Sequence, residues 1–181
     1  MKKLLSLATS LILITACSFF VNSLSEEHQV LNLKEKSFSI MFSHNIAGET
    51  HPCGCRHFPL GGIHNIAGLL HKTKKNNSLI YVDTGDAFFK SPIIHNGTFK
   101  SSLYTANTIH NTFNQLGLNF KVIGDQDLSN GIKFIKNLSK TAKYQYLVSN
   151  FSTKYTIPHK KWALIQKGPH KIFLVGIVNP E

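Results

Sequence analysis

Apolar and polar positions follow two alternating periods along most of the chain. Phe38, Ile40 and Phe42 recur at every second position with Met41 on the other face, so residues 37–42 read as a short strand. The spacing of Ile63, Ile66, Leu69 and Leu70 predicts a helix over 62–75. "SLIYVDTGD" (78–86) is an apolar strand with Gly and Asp at its carboxyl end. Residues 101–116 suit a second helix, with Leu103, Ala106, Ile109, Phe113 and Leu116 on one face and Gly117 as its C-terminal cap. "NFKVIGDQD" (119–127) is another strand ending in Gly-Asp. A third helix spans 129–142, opened by Ser129 or Asn130 as N-cap. "YQYLVSN" (144–150) is a strand again, and 161–178 reads as two strands around a turn at 167–169.

Strand and helix therefore alternate, which predicts an α/β domain with a mainly parallel or mixed central sheet flanked by helices. In such sheets sites form beyond the carboxyl ends of the strands. Four strand ends carry polar residues: Ser43-His44-Asn45, Asp83 with Asp86, Asp125-Gln126-Asp127, and Ser149-Asn150. Convergence of these ends would make one pocket. The alternative is local, because Asp beside Gly commonly caps a helix or ties a turn. No internal repeat is found, nor any linker after residue 40.

The N-terminus bears on the compartment. Lys2 and Lys3 precede an apolar run, Leu4 to Ala16, too short for a membrane-spanning helix of about 20 residues. The run closes Leu13-Ile14-Thr15-Ala16-Cys17, which resembles a bacterial lipobox. The expected division is a lipoprotein signal peptide (1–16), a lipid-anchored tether (17–36) starting at lipidated Cys17, and an α/β domain (37–181). An ordinary secretory peptide containing Cys17 is the alternative. Ser18 mildly favours the outer over the inner membrane. The partner implied is the bacterial membrane, with the domain on the periplasmic or surface side, where thiols can oxidise. Loss of Lys2 and Lys3 lowers the formal charge of +11 by two, to +9. The basic residues are scattered, with no block beyond 72–75, so they read as solvated faces and not as a nucleic-acid footprint.

"THPCGCRHFPLGG" (50–62) is the densest chemistry in the chain. His51, Cys53, Cys55 and His57 alternate, so an extended segment would turn all four one way, and thiolate with imidazole suits zinc or copper. Pro52 and Gly54 oppose regular extension, and Cys-x-Cys is tighter than the usual zinc spacing. A redox pair is the second reading: Arg56 and a protonated His51 or His57 would lower a thiol pKa, and a small Cys-Gly-Cys ring would be strained and oxidising. An inert bridged loop is the third.

The order of these strand ends resembles the calcineurin-like metallophosphoesterases, in their 5′-nucleotidase-like secreted branch. The segments that carry the resemblance are "NIAGETHPCGCRHFPLGG" (45–62), "VDTGD" (82–86), "GDQD" (124–127), "SNF" (149–151) and "KIFLVGIVNPE" (171–181). A bacterial lipoprotein subgroup carries the Pro-Cys-Gly-Cys loop at the same place, and includes proteins suspected of redox chemistry there. The resemblance implies a two-metal site, with divalent ions such as zinc or manganese activating a water and clamping a phosphate ester. Carried over residue by residue, the family's first Asp falls on Asn45 and its His on Ala47, which cannot ligate. Asp86 matches the bridging carboxylate. The family's Asn falls on Asp125 and its catalytic His on Gln126, which cannot transfer a proton at neutral pH. The remaining candidate ligands are thus Asp86, Asp125 and Asn45. The distal histidine motifs do not occur before residue 181. Either the chain is a divergent relative, or it is an N-terminal piece and its domain is incomplete at the C-terminus. The sequence thus points to a phosphate-ester hydrolase fold with weak or lost activity on a phosphorylated small molecule. The alternatives are a thiol–disulfide or metal-binding lipoprotein acting on a thiol partner through Cys53 and Cys55, and a cell-envelope scaffold.

Overall fold

The computed structural model describes residues 31–33, 38–52, 54, 57, 59–76, 78–151, 157–167 and 170–178. Cys17, Cys53 and Cys55 lie outside these residues, as does the whole of the expected signal peptide. The described elements run β1 (Leu31–Leu33), β2 (Phe38–Ser43), α1 (Ile63–Asn76), β3 (Ser78–Asp83), α2 (Phe99–Leu116), β4 (Phe120–Lys121), α3 (Gly131–Ser139), β5 (Gln145–Leu147), β6 (His159–Lys160), β7 (Trp162–Lys167) and β8 (His170–Val175). Short 3₁₀ turns at Asn96–Thr98 and Gln126–Leu128 precede α2 and α3.

Strands β2 to β6 pair in chain order, all parallel. Crossovers that always step in the same direction bring their helices to one face of a sheet. Tyr81 and Tyr146 accordingly share a core with Leu70 of α1, Ile109 and Phe113 of α2, and Ile135 of α3. The opposite face is covered by a second sheet, ordered β1-β7-β8. There Ile80, Val82, Phe120 and Leu147 meet Ala163 and Ile165 of β7, with Ile172 and Leu174 of β8 packed alongside. Strand β3 has apolar cover on both sides, which explains its unbroken Leu-Ile-Tyr-Val run. The fold class is therefore as the sequence predicts, an α/β domain with a mainly parallel central sheet.

Several details differ from the sequence reading. Leu31–Leu33, inside the expected tether, forms a strand parallel to β7. Strands β4 and β5 are only two and three residues long. On β2, Ile40 and Phe42 are 42% and 70% exposed. They align with Ile80 and Val82 on the side covered by β7, but β2 is the edge strand and the cover stops short of it. Helix α3 starts at Gly131 with Asn130 in the N-cap position, making no side-chain cap bond. The Ser129 hydroxyl is instead committed to the carbonyls of Ser91 and Gln126. Helix α2 matches its predicted face, and Gly117 closes it in the left-handed conformation, its N–H donating to the Phe113 carbonyl.

Candidate functional site

Parallel register aligns Ser43 with Asp83, Asp83 with Lys121, and Lys121 with Tyr146. Aligned residues on neighbouring strands project to one face. These four therefore form a polar row across the helix-facing side of the sheet, at the carboxyl ends of its strands, and all are buried. Lys121 Nζ donates to Asp83 Oδ1 at 2.6 Å and to Asp127 Oδ2 at 3.0 Å, and the side chains of all three residues are fully buried. Ser43 Oγ donates to Asp83 Oδ2 at 2.6 Å and lies 2.9 Å from the Tyr81 hydroxyl. Burial alone would lower the Lys121 pKa; Asp127 and Asp83 outweigh it and hold the ammonium above the ordinary lysine value. Burial pushes the Asp83 carboxyl up, against the downward pull of Lys121. The ammonium also sits 4.6 Å from the centre of the Phe88 ring.

Asp127 ties this row to the loops above it. Its carboxylate accepts the backbone N–H groups of Asp86, Ala87, Phe88 and Gly124 at 2.9–3.1 Å. The loop after β3 is bonded in turn to the loop after β2. Thr84 N–H reaches the Ser43 carbonyl, Asn45 N–H that of Gly85, Ala47 N–H that of Asp86, and Gly48 N–H that of Ala87, at 2.8–3.2 Å. Three non-glycine residues in this ribbon hold left-handed backbone: Asn45 (φ 50°), Ala47 (φ 50°) and Asp86 (φ 58°). Each such residue costs on the order of 1–3 kcal/mol and persists only where its surroundings over-determine it. The shared Asp127 bonds and the loop ladder supply that constraint.

The outer layer is Asp86, Asp125, Asn45 and Gln126. Asp86 Oδ1 accepts the Gln126 N–H at 3.0 Å. A Cβ on Gly124 would meet this oxygen at 2.0 Å, so only glycine fits beneath it. Burial raises the Asp86 pKa above its usual range; the Gln126 N–H opposes that rise, and the charges of Asp127 and Asp125 add to it. Asn45 and Asp125 are exposed. Gln126 keeps a buried side-chain oxygen with no hydrogen-bond partner. Among the described residues, no group of three His, Cys, Asp or Glu side chains could hold a metal ion. Asp83 and Asp127 are already committed to Lys121. The donors left over do not fit a two-metal centre, which needs several carboxylates and histidines around each ion.

The cysteine loop leaves the same ribbon and returns to its stem. Ile63 N–H donates to the Glu49 carbonyl at 3.2 Å, and His64 Nδ1 lies 2.9 Å from the Thr50 carbonyl. Gly62 (φ +79°) is pressed on the His51 backbone, where an added Cβ would sit 2.5 Å from the carbonyl carbon. The His51 ring stands edge-on to His64 at 5.9 Å, and His57 is exposed. The chain on either side of this segment thus meets at Gly62 and His51. Of the strand-end residues, Asn45 is bonded through its N–H to the Gly85 carbonyl and Asp86 accepts the N–H of Gln126, next in sequence to Asp125; His51 belongs to the loop stem.

Two features escape the sequence reading. Lys121 sits in the strand "FKVI", where a lone lysine reads as a solvated position; its apolar neighbours on both sides were the available signal. His110 lies on the buried face of α2, with Nδ1 2.8 Å from the Tyr144 hydroxyl and Nε2 3.0 Å from Thr141 Oγ1. Burial lowers its pKa, so it packs as a neutral ring.

No protein-family model matches the chain, and no curated protein sequence does. Solved structures do. The chain superposes on a 5′-nucleotidase precursor from Thermus thermophilus with a TM-score of 0.64 at 14% identity, over 79% of this chain and 29% of that one. For the NAD nucleotidase of Haemophilus influenzae the TM-score is 0.64 at 16% identity, over 80% and 26%. For the calcineurin-like phosphoesterase YfkN of Bacillus subtilis it is 0.57 at 16% identity, over 79% and 48%. The chain therefore has the fold found in 5′-nucleotidases and calcineurin-like phosphoesterases, and spans less than half the length of each of these structures.

Proposed function

We propose that the chain is an extracytoplasmic lipoprotein whose domain keeps a 5′-nucleotidase-like metallophosphatase fold, with hydrolysis of phosphate esters weak or lost. The observation that carries this reading is the use of Asp83 and Asp127. Both are buried on Lys121, which leaves Asp86, Asp125 and Asn45 as the candidate ligands outside that pairing. Ala47 and Gln126 occupy the positions where the resemblance calls for histidines. A single Mn²⁺ or Zn²⁺ held loosely by Asp86 and Asp125 is the most these donors support. The test is Mn²⁺- or Zn²⁺-dependent hydrolysis of 4-nitrophenyl phosphate. Turnover near the buffer blank is expected; robust turnover that disappears in Asp86→Ala contradicts the reading. The anchor has its own test: Cys17→Ser moves the protein from the membrane to the soluble fraction, with a slight outer-membrane preference expected for the wild type.

A second reading is favoured by the stem of the cysteine segment, where Gly62 is pressed on the His51 backbone. In it Cys53 and Cys55, with His51 and His57 beside them, act on a thiol partner or bind a soft metal. A thiol count with and without reductant, followed by metal analysis, decides it. Two unreactive cysteines and no metal reject it.

A further inference from the structure

The second sheet packs one face on the first sheet and turns the other away from it. Directly opposed residues of an antiparallel pair project to the same side. The β7–β8 register opposes Ala163 to Leu174 and Ile165 to Ile172, and these four fill the inner face. It opposes Trp162 to Val175 and Leu164 to Phe173 on the outer face. That outer face is apolar and open: Phe173 is 59% exposed, Val175 48%, and Ile177, two residues on, 72%. The Trp162 and Phe173 rings stand 5.1 Å apart at its centre. Lys171, opposite Gln166, ends the same face and is exposed, as are His170 beside it and Lys161 before β7. Exposed apolar patches with a polar rim mark surfaces that meet a protein or a membrane.

Two observations say which. The first is where the expected anchor joins the domain. Leu31–Leu33 pairs with β7, so the chain leading back to Cys17 leaves from this same sheet. The 14 residues from Cys17 to Val30 span at most about 50 Å, so a lipid on Cys17 keeps the sheet that close to the bilayer. The second is charge. Residues 157–178 include Lys160, Lys161, Lys167 and Lys171 and contain no Asp or Glu. A second copy laid on this face would set these basic groups against each other. An anionic headgroup surface complements them. The residue types fit as well: tryptophan favours the membrane–water interface, and a lysine stem can cover apolar surface while its ammonium stays among the headgroups.

We propose that the outer face of β7 and β8 docks on the anionic lipid surface of the membrane to which Cys17 holds the chain. Trp162, Phe173, Val175 and Ile177 meet the acyl boundary, and Lys161 and Lys171 meet the headgroups. This rests on the lipoprotein reading, so the face and the anchor are tested separately. Trp162 is the only tryptophan in the chain, and its fluorescence therefore reports on this face alone. Full-length protein recovered from membranes is placed in vesicles of equal parts phosphatidylglycerol and phosphatidylcholine. Its emission is expected to shift to the blue and to be quenched when the acyl chains are brominated near the headgroup. Quenching is expected to weaken in phosphatidylcholine alone.

Lys171→Gln is expected to weaken docking about fivefold. Ile177→Asp, at an exposed residue, is expected to remove most of the quenching while circular dichroism stays unchanged. Emission that brominated lipid leaves unchanged, or quenching that neither variant reduces, overturns the proposal. A blue shift that grows with protein concentration in the absence of vesicles places a second copy on this face and overturns it too. If Cys17→Ser does not change the fraction in which the protein is found, the lipoprotein reading fails. The same vesicles are then added to the protein in solution: quenched Trp162 leaves the docking face standing without the anchor, and unquenched Trp162 overturns it.

Discussion

Four aspartates stand at the ends of β3 and β4, and they divide into two pairs with opposite circumstances. Asp83 and Asp127 are fully buried, bonded to a buried lysine, and spend their remaining acceptor capacity on Ser43 and on backbone N–H groups. On the same loops Asp125 is exposed and Asp86 half-buried, and among the described residues Asp86 accepts one backbone N–H. The inner pair makes the loops rigid; the outer pair is what those loops present. A carboxylate count from sequence cannot separate the pairs, because the difference lies in what Lys121 reaches.

The largest expected effect comes from removing that lysine. Lys121→Met leaves two buried carboxylates without their cation, and loss of one partner of a buried ion pair costs about 3–5 kcal/mol. Denaturant unfolding should show this loss, and amide exchange should show the 84–88 loop opening first. A loss under about 1 kcal/mol would mean that the inner pair is not what orders the loops. Next comes Gly124→Ala, which places a methyl 2.0 Å from Asp86 Oδ1. Overpacking of this kind costs about 1–3 kcal/mol. A crystal structure of the variant should show Asp86 displaced while Asp127 keeps its four backbone bonds.

That asymmetry explains what could be read from sequence and what could not. Helix α2 was legible because each contact lies on one face and Gly117 marks its end. The strand ends were legible as a polar cluster because Gly-Asp twice follows an apolar run. The lysine's role was not, because it depends on register: Asp83 opposite Lys121 is a fact about strand pairing, not about either segment alone. The second sheet was hidden for the same reason. The β7–β8 hairpin is visible in the sequence, but nothing local says that β7 pairs with Leu31–Leu33 and packs over Ile80 and Val82. Ile40 and Phe42 show the strand period correctly; their exposure follows from the edge position of β2, which only topology determines.

A smaller effect sharpens the outer half of the comparison. Burial first, then Asp127 and Asp125, raise the Asp86 pKa against the opposing Gln126 bond. A carboxyl raised on folding favours the folded chain below the ordinary aspartate pKa, and that contribution is lost as pH rises through its folded value. Ionised Asp86 therefore opposes folding at neutral pH. Asp86→Asn should raise Tm at pH 7, a gain that closes by about pH 4, and asparagine tolerates the left-handed backbone there. A lower Tm at pH 7 would mean that Asp86 is a structural carboxylate like Asp83. The smallest effect is expected at Lys90→Ala. Its ion pair with Glu49 is 70% and 51% exposed, and stability should change by less than about 0.5 kcal/mol.

The direct test of the division is calorimetric titration of the reduced full chain with Mn²⁺, a hard ion that disfavours thiolates. If Asp83 and Asp127 are committed to Lys121, no more than one ion binds, weakly, and Asp86→Asn abolishes the heat. Two tightly bound ions per chain would show that the inner aspartates remain available as ligands, and would contradict the account.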